Sequence, residues 1–257
     1  MLTLTGVVSC SEYQELLRKG TLSDKTVAAA SYYREGDYKK ALRLYQTIAP
    51  MYRGKANAER ILFLEADTYY NLEDYYFATY KFDKFIAAFP NSTNRLQAQF
   101  KSAHALFKLS LRASLDQKQT YEALGKLQSF INDNPDSEFT VEANKCVDIL
   151  QAKLEKKYYD IAKSYHHRQR YKAAIKAFDN YILDYPGSKY TEQALFYKLE
   201  SAYILAIYSV DELVVERLKI AQDYKNKYAN FAKDELLIKK ASKIEQDIIN
   251  RLKESTN

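Results

Sequence analysis

Residues 171–186 read YKAAIKAFDNYILDYP, and the same grammar returns at 38–53 (YKKALRLYQTIAPMYR), 75–90 (YYFATYKFDKFIAAFP) and 121–135 (YEALGKLQSFINDNP). Stacked on Ala41, Ala78, Ala123 and Ala174, these segments place Tyr45, Phe82, Leu127 or Phe178 four residues on, and Ile48, Phe85, Phe130 or Tyr181 seven on. Offsets of four and seven put one small and two large residues on a single helical face. Pro90, Pro135 and Pro186 stand twelve residues after the alanine, with Arg53 as the exception, and Ser92, Ser137 and Ser188 follow the prolines by two. Proline ends a helix because it lacks the N–H and clashes with the preceding turn, and the serine is expected to cap the next helix.

A partner helix lies upstream of each anchor. Ala29, Ala66 and Ala162 stand twelve residues before Ala41, Ala78 and Ala174, and are followed after three by Tyr32, Tyr69 and Tyr165. Tyr38, Tyr75 and Tyr171 precede the second alanine by three. Small residues where two helices cross, large ones between them and a proline near the end are the signature of the tetratricopeptide repeat. The anchors are unevenly spaced, so an ideal tandem array is excluded. Extra length falls in the polar loop RASLDQKQT (112–120), with Ala103 as the first-helix alanine of that repeat, and in a long helix over 138–165. Ala143, Val147, Leu150, Leu154, Tyr158, Ile161 and Tyr165 form the stripe of that helix. A worn fifth pair is predicted at 192–207 and 211–228, and a capping helix at 233–253 with Leu236, Leu237, Lys240, Ile244, Ile248 and Leu252 on one side.

The predicted fold is therefore all-α, a tetratricopeptide-repeat solenoid of about five helix pairs with a C-terminal capping helix. Its expected divisions are 1–23 (signal remnant, lipidated cysteine and tether), 24–231 (solenoid) and 232–257 (C-terminal helix and tail). Composition agrees. Six glycines and four prolines in 257 residues are about a third of ordinary usage, too few for the turns of an all-β fold. The net charge of +6 is spread along the chain without the basic block of a nucleic-acid binder. No apolar run approaches the length that spans a bilayer.

Motifs that carry chemistry are few in this sequence. There is no H-E-x-x-H, G-x-S-x-G, S-x-x-K, phosphate-binding loop or dinucleotide-binding glycine pattern, so neither an enzyme nor a cofactor or metal is expected. His166 and His167 are adjacent on a helix and diverge by about 100°, so they cannot chelate one ion together. They and His104 read as solvated histidines, and Cys146, beside Val147 in the apolar stripe, as a packing residue. What the solenoid does offer is a face lined by first-helix positions the core does not need: Tyr33, Arg34, Asp67, Tyr70, Asn71, Phe100, His104, Tyr159, Lys163, His166 and His167. Aromatic rings with interspersed donors suit an extended peptide with aromatic side chains. The alternative is that these tyrosines reflect a chain with 24 of them.

Val7, Val8, Ser9 and Cys10 resemble a bacterial lipobox, in which small residues precede a cysteine that takes a diacylglyceryl group. Only nine residues precede Cys10 and none is basic, so a Lys/Arg-led signal is expected upstream of Met1. The competing reading is an N-terminus with an incidental cysteine.

A lipobox-like Cys10 ahead of an irregular five-repeat array resembles the BamD/ComL family, the tetratricopeptide lipoproteins of the bacterial outer-membrane β-barrel assembly machine. The resemblance runs from Cys10 to about Tyr228. It is most specific at Asp136-Ser137-Glu138-Phe139, at Lys153 to Tyr165, and at Asp184-Tyr185-Pro186-Gly187-Ser188. The loop after the first repeat, Tyr52-Arg53-Gly54-Lys55, lacks the family's proline. The resemblance implies a non-catalytic scaffold held by lipid on the periplasmic face of the outer membrane. Its C-terminal repeats would dock on a POTRA domain of the barrel-forming partner, and its N-terminal repeats would receive unfolded outer-membrane proteins. A general periplasmic adaptor lipoprotein of the cell envelope is the other reading.

Overall fold

The structure, a computed structural model, describes residues 6–255 and side chains from Glu12 to Ser255. Among the described residues every regular element is helical. The helices are α1 (Gly6–Lys19), α2 (Leu22–Arg34), α3 (Tyr38–Ile48, extended by a 3-10 turn Ala49–Tyr52), α4 (Ala58–Asn71), α5 (Tyr75–Ala88) and α6 (Arg95–Leu109). They continue with α7 (Lys118–Asp133), α8 (Thr140–His167), α9 (Tyr171–Asp184), α10 (Thr191–Ile207), α11 (Asp211–Ala229) and α12 (Glu235–Glu254). From α2 to α11 they form five consecutive pairs of the tetratricopeptide type, and α12 caps the last. The chain divides into two compact units, residues 1–150 and 151–257, with the division inside α8.

In the first unit the anchoring alanines lie where the repeat frame puts them. Ala29, Ala41, Ala66 and Ala78 have no exposed surface, Ala103 almost none, and Tyr45, Ile48, Phe82, Phe85, Leu127 and Phe130 fill the spaces around them. The second unit repeats this with Ala162 and Ala174 against Tyr159, Phe178 and Tyr181. Its last pair buries Phe196, Leu199, Leu218 and Tyr228 against α12.

Two turn motifs explain why the pairs recur. Between first and second helices the chain closes with a left-handed residue at one repeat position: Gly36 (φ 80°), Glu73 (φ 60°) and Gln169 (φ 59°). In each case its N–H reaches the carbonyl three residues back, and the next N–H reaches the carbonyl five back, as with Gly36 to Tyr33 and Asp37 to Tyr32. This is the Schellman closure, and a glycine adopts its left-handed residue without cost. Glu73 and Gln169 hold the same turn against their own preference.

The second motif joins successive pairs. Ser92, Ser137 and Ser188 each accept, through Oγ, the N–H two residues on (Asn94, 3.0 Å; Phe139, 3.2 Å; Tyr190, 2.9 Å). The next helices begin at Arg95, Thr140 and Thr191, so each serine shapes the turn ahead of the helix and is not the N-cap that the repeat pattern alone predicts. Two of these hydroxyls also donate back to the preceding first helix, Ser92 to Glu59 at 2.5 Å and Ser188 to Glu155. Lys55 holds the equivalent place after the first repeat, with the same backbone bonds from Lys55 to Tyr52 and from Ala58 to Lys55, so the turn survives loss of both proline and serine.

Three further expectations change. The buried side of α12 is Ala241, Ile244 and Ile248, flanked by Leu237 and Leu252, whereas Leu236 is 61% exposed and Lys240 faces solvent. Leu237, Ile244, Ile248 and Leu252 thus lie on the packed side as expected, Ala241 takes the place given to Lys240, and Asp234 caps the helix through the Leu236 and Leu237 N–H groups. Along α8, Ala143, Val147, Leu150 and Leu154 are buried as expected, but Tyr158, Ile161 and Tyr165 are exposed and Tyr159 and Ala162 take their place. The buried side of this 28-residue helix changes because its two ends pack against different partners: Ala143, Val147 and Leu150 join the core of the first unit, and Tyr159 and Ala162 pack against Ala174, Phe178 and Tyr181 in the second. Finally, the segment assigned to a tether is packed from Tyr13 onward: that ring is buried against Tyr32, and its hydroxyl donates to the Lys40 carbonyl at 2.9 Å.

Candidate functional site

The expected peptide face is built from first helices, and the structure gives most of its side chains a partner in the next repeat. In the first unit Tyr33 on α2 donates its hydroxyl to Asp67 on α4, and Tyr70 on α4 shares a hydrogen bond with Nδ1 of His104 on α6, each spanning 34 residues. Lys101 on α6 donates to the other oxygen of Asp67, and Asn71 holds the same carboxylate at 3.3 Å. Within the second unit His166 on α8 meets Ser201 Oγ at 2.9 Å and Glu200 at 3.1 Å on α10. Positions that look free in one repeat therefore form a ladder to the next.

Three of the eleven residues are buried. Asp67 is the centre of the ladder just described. Phe100 stacks on Phe139 at 5.0 Å between ring centroids, and Tyr159 on Tyr190 at 4.6 Å. These belong to packing and not to an open face. His104 and His166 are partnered rather than solvated, while His167 and Arg34 are exposed as expected. Lys163 lies over the rings of Tyr159 and Tyr197. Burial shifts the titrating groups accordingly. It lowers the His104 imidazole below the ordinary value and pushes Tyr70 up to about 12 and the Cys146 thiol up to about 11, which makes that thiol a poor nucleophile. Cys10 lies outside the residues whose side chains are described.

What remains open is a cleft of about 660 Å³ in the first unit, between α2, α3, α4 and the turn before α6. Tyr33, Arg34, Tyr45, Asn57, Arg60 and Asn94 give it its polar character, with no acidic residue in its lining. Tyr45 is fully buried, its hydroxyl has no hydrogen-bond partner, and desolvation raises it to about 12 against the opposing pull of Arg60. Two exposed guanidiniums and two amides form a site for oxygen acceptors: a carboxylate, or the carbonyls of an extended chain. Arg60, Asn57 and Asn94 escape the sequence reading because they stand near helix N-termini, outside the mid-helix positions that the frame selects. A smaller cleft of about 310 Å³ in the second unit is lined by Lys172, Lys176 and Arg217, with the one carboxylate of Asp179, around Ile175 and Ile220.

Helix pairs with these turns and this ladder define a tetratricopeptide-type repeat protein. Residues 24–217 match the YfiO family model, described as outer membrane lipoprotein, and the chain belongs to that family. Curated relatives named outer membrane protein assembly factor BamD are similar to it. One from Caulobacter vibrioides is 23% identical over 66% of this chain and 55% of its own length, so this chain spans about half of that protein. One from Rickettsia prowazekii is 22% identical over 72% of this chain and 77% of its own, and one from Pasteurella multocida 21% over 76% and 78%. No described helix is long and apolar enough to cross a membrane.

Proposed function

We propose that this chain is a non-catalytic scaffold of outer-membrane β-barrel assembly, held by a lipid on Cys10 at the periplasmic face of the outer membrane. The first unit receives unfolded outer-membrane proteins, and the second docks on a POTRA domain of the barrel-forming partner. Family membership and the printed names of the relatives support the pathway. The cleft of the first unit carries the substrate half of the reading, because its donors, without a competing carboxylate, fit the terminal carboxylate and backbone of a chain that ends in an aromatic residue. For the second unit, the cationic cleft and the exposed Tyr208 and Val210 at the α10–α11 turn favour a protein partner. An acyl group on Cys10 is read by intact mass of the mature protein, and an unmodified Cys10 removes the anchor.

The substrate half is tested with a fluorescent peptide copying the last strand of a barrel protein, as free acid and as C-terminal amide. Arg34→Ala/Arg60→Ala, both at exposed positions, is expected to weaken the free acid by about tenfold or more, and amidation to do the same to the wild type. Free acid and amide bound alike, with no effect of the double variant, would remove the cleft as a carboxylate site. Tyr33 and Tyr70 are unsuitable probes because their hydroxyls hold Asp67 and His104.

A further inference from the structure

The first unit brings together three side chains of metal-ligating types. A ring nitrogen of His104 on α6, a carboxylate oxygen of Glu142 and Sγ of Cys146 on α8 all lie within 4.8 Å of one another. Glu142 and Cys146 are four residues apart, so one helical face presents both, and His104 approaches from the neighbouring helix. We propose that this trio binds a divalent cation of the zinc class and ties α6 to α8.

The donor set selects the ion. Thiolate and imidazole favour zinc over magnesium or calcium, which take oxygen ligands, and a carboxylate with a water completes four-coordination. Cys146 is buried, so one side of the site is dry, while Glu142 is exposed and gives the ion an entry path. Tyr70 already holds His104 through Nδ1, and binding through the opposite nitrogen keeps that bond, in the manner of the outer-shell oxygens that orient metal-bound histidines. Phe100 and Phe107 flank the imidazole and exclude water from it. The opposing charges are cationic: Lys101 and Lys108 act on His104, and Lys145 pairs with one oxygen of Glu142 at 3.3 Å, leaving the other for the ion. On binding, the Cys146 thiol proton passes to solvent, so the ion gains a thiolate and the site gains one net positive charge.

The test uses the full chain in a Cys10→Ser background, so that Cys146 is its one thiol, reduced, without an affinity tag and stripped of metal by chelation. Cobalt(II) is titrated as a spectroscopic stand-in for zinc, and zinc affinity is then read by competition with a chromophoric chelator. The expected result is one equivalent bound with a sulfur-to-metal charge-transfer band. Cys146→Ser should abolish that band. His104→Ala and Glu142→Gln should each weaken zinc about tenfold or more, and Tyr70→Phe about tenfold. Glu142→Gln keeps the test sound if a buried variant fails to fold, since it changes an exposed side chain. Absence of the charge-transfer band in the parent protein, or zinc affinity unchanged in Glu142→Gln, would overturn the proposal.

Discussion

Asp67→Ala is expected to destabilise the first unit by about 3 kcal/mol. The carboxylate is buried and ties three repeats: Tyr33 of the first donates to it, Asn71 of its own helix steadies it, and Lys101 of the third pairs with it. Removing one member of a buried ion pair strands the other, and that penalty commonly reaches 3–5 kcal/mol. The lower end applies because the Lys101 side chain is 20% exposed, can turn toward water, and keeps its contact over the Tyr70 ring at 5.1 Å. Asp67→Asn/Lys101→Met should recover most of the loss, since replacing both partners removes the stranded charge. Urea unfolding of the two variants measures the difference. A loss below about 1 kcal/mol for Asp67→Ala would show that the ladder is ornamental to stability.

The second large effect is overpacking at the helix crossings. Ala78 in the first unit and Ala174 in the second are fully buried where the two helices of a pair meet. Leucine at either site adds three carbons to space already filled by Phe82 and Phe85, or by Phe178 and Tyr181, and should cost about 1–3 kcal/mol by forcing rotamers and backbone apart. Lys219→Ala, on the exposed side of α11, should stay within about 0.5 kcal/mol. Equal losses at all three positions in thermal melts would mean that the alanine frame does not describe the crossings.

The parts of this molecule that sequence makes legible are those governed by contacts within one helix pair. The alanine at a crossing and the large residues four and seven later recur in four repeats and the break at proline in three, all local consequences of close packing. The phase of a helix with one packed side is harder to read. Leu236 and Leu237 are equally apolar, and the docking of Ala241, four residues after Leu237, decides between them. The candidate site was hardest, for a physical reason. Tyr33, Asp67, Tyr70, His104 and His166 sit on the surface of any isolated pair, and stacking of the next pair turns them into partners over 34 or 35 residues. Tyr45 shows the converse. Its ring belongs to the core by spacing, and it lines the cleft as well because Arg60 and Asn57 of the next repeat stand beside it. The trio of His104, Glu142 and Cys146 follows the same logic, since no spacing in sequence relates α6 to α8.

The proposed function requires the first unit to meet unfolded outer-membrane proteins at its cationic cleft. A photo-crosslinking residue at Val27, which is 67% exposed and lines that cleft, tests this inside the source bacterium, with the same probe at Lys219 as the control. Val27 is expected to capture β-barrel proteins before they fold, Arg34→Ala/Arg60→Ala to reduce that capture sharply, and Lys219 to capture none. Barrel proteins absent from Val27, or captured equally at Val27 and Lys219, would contradict the proposed function.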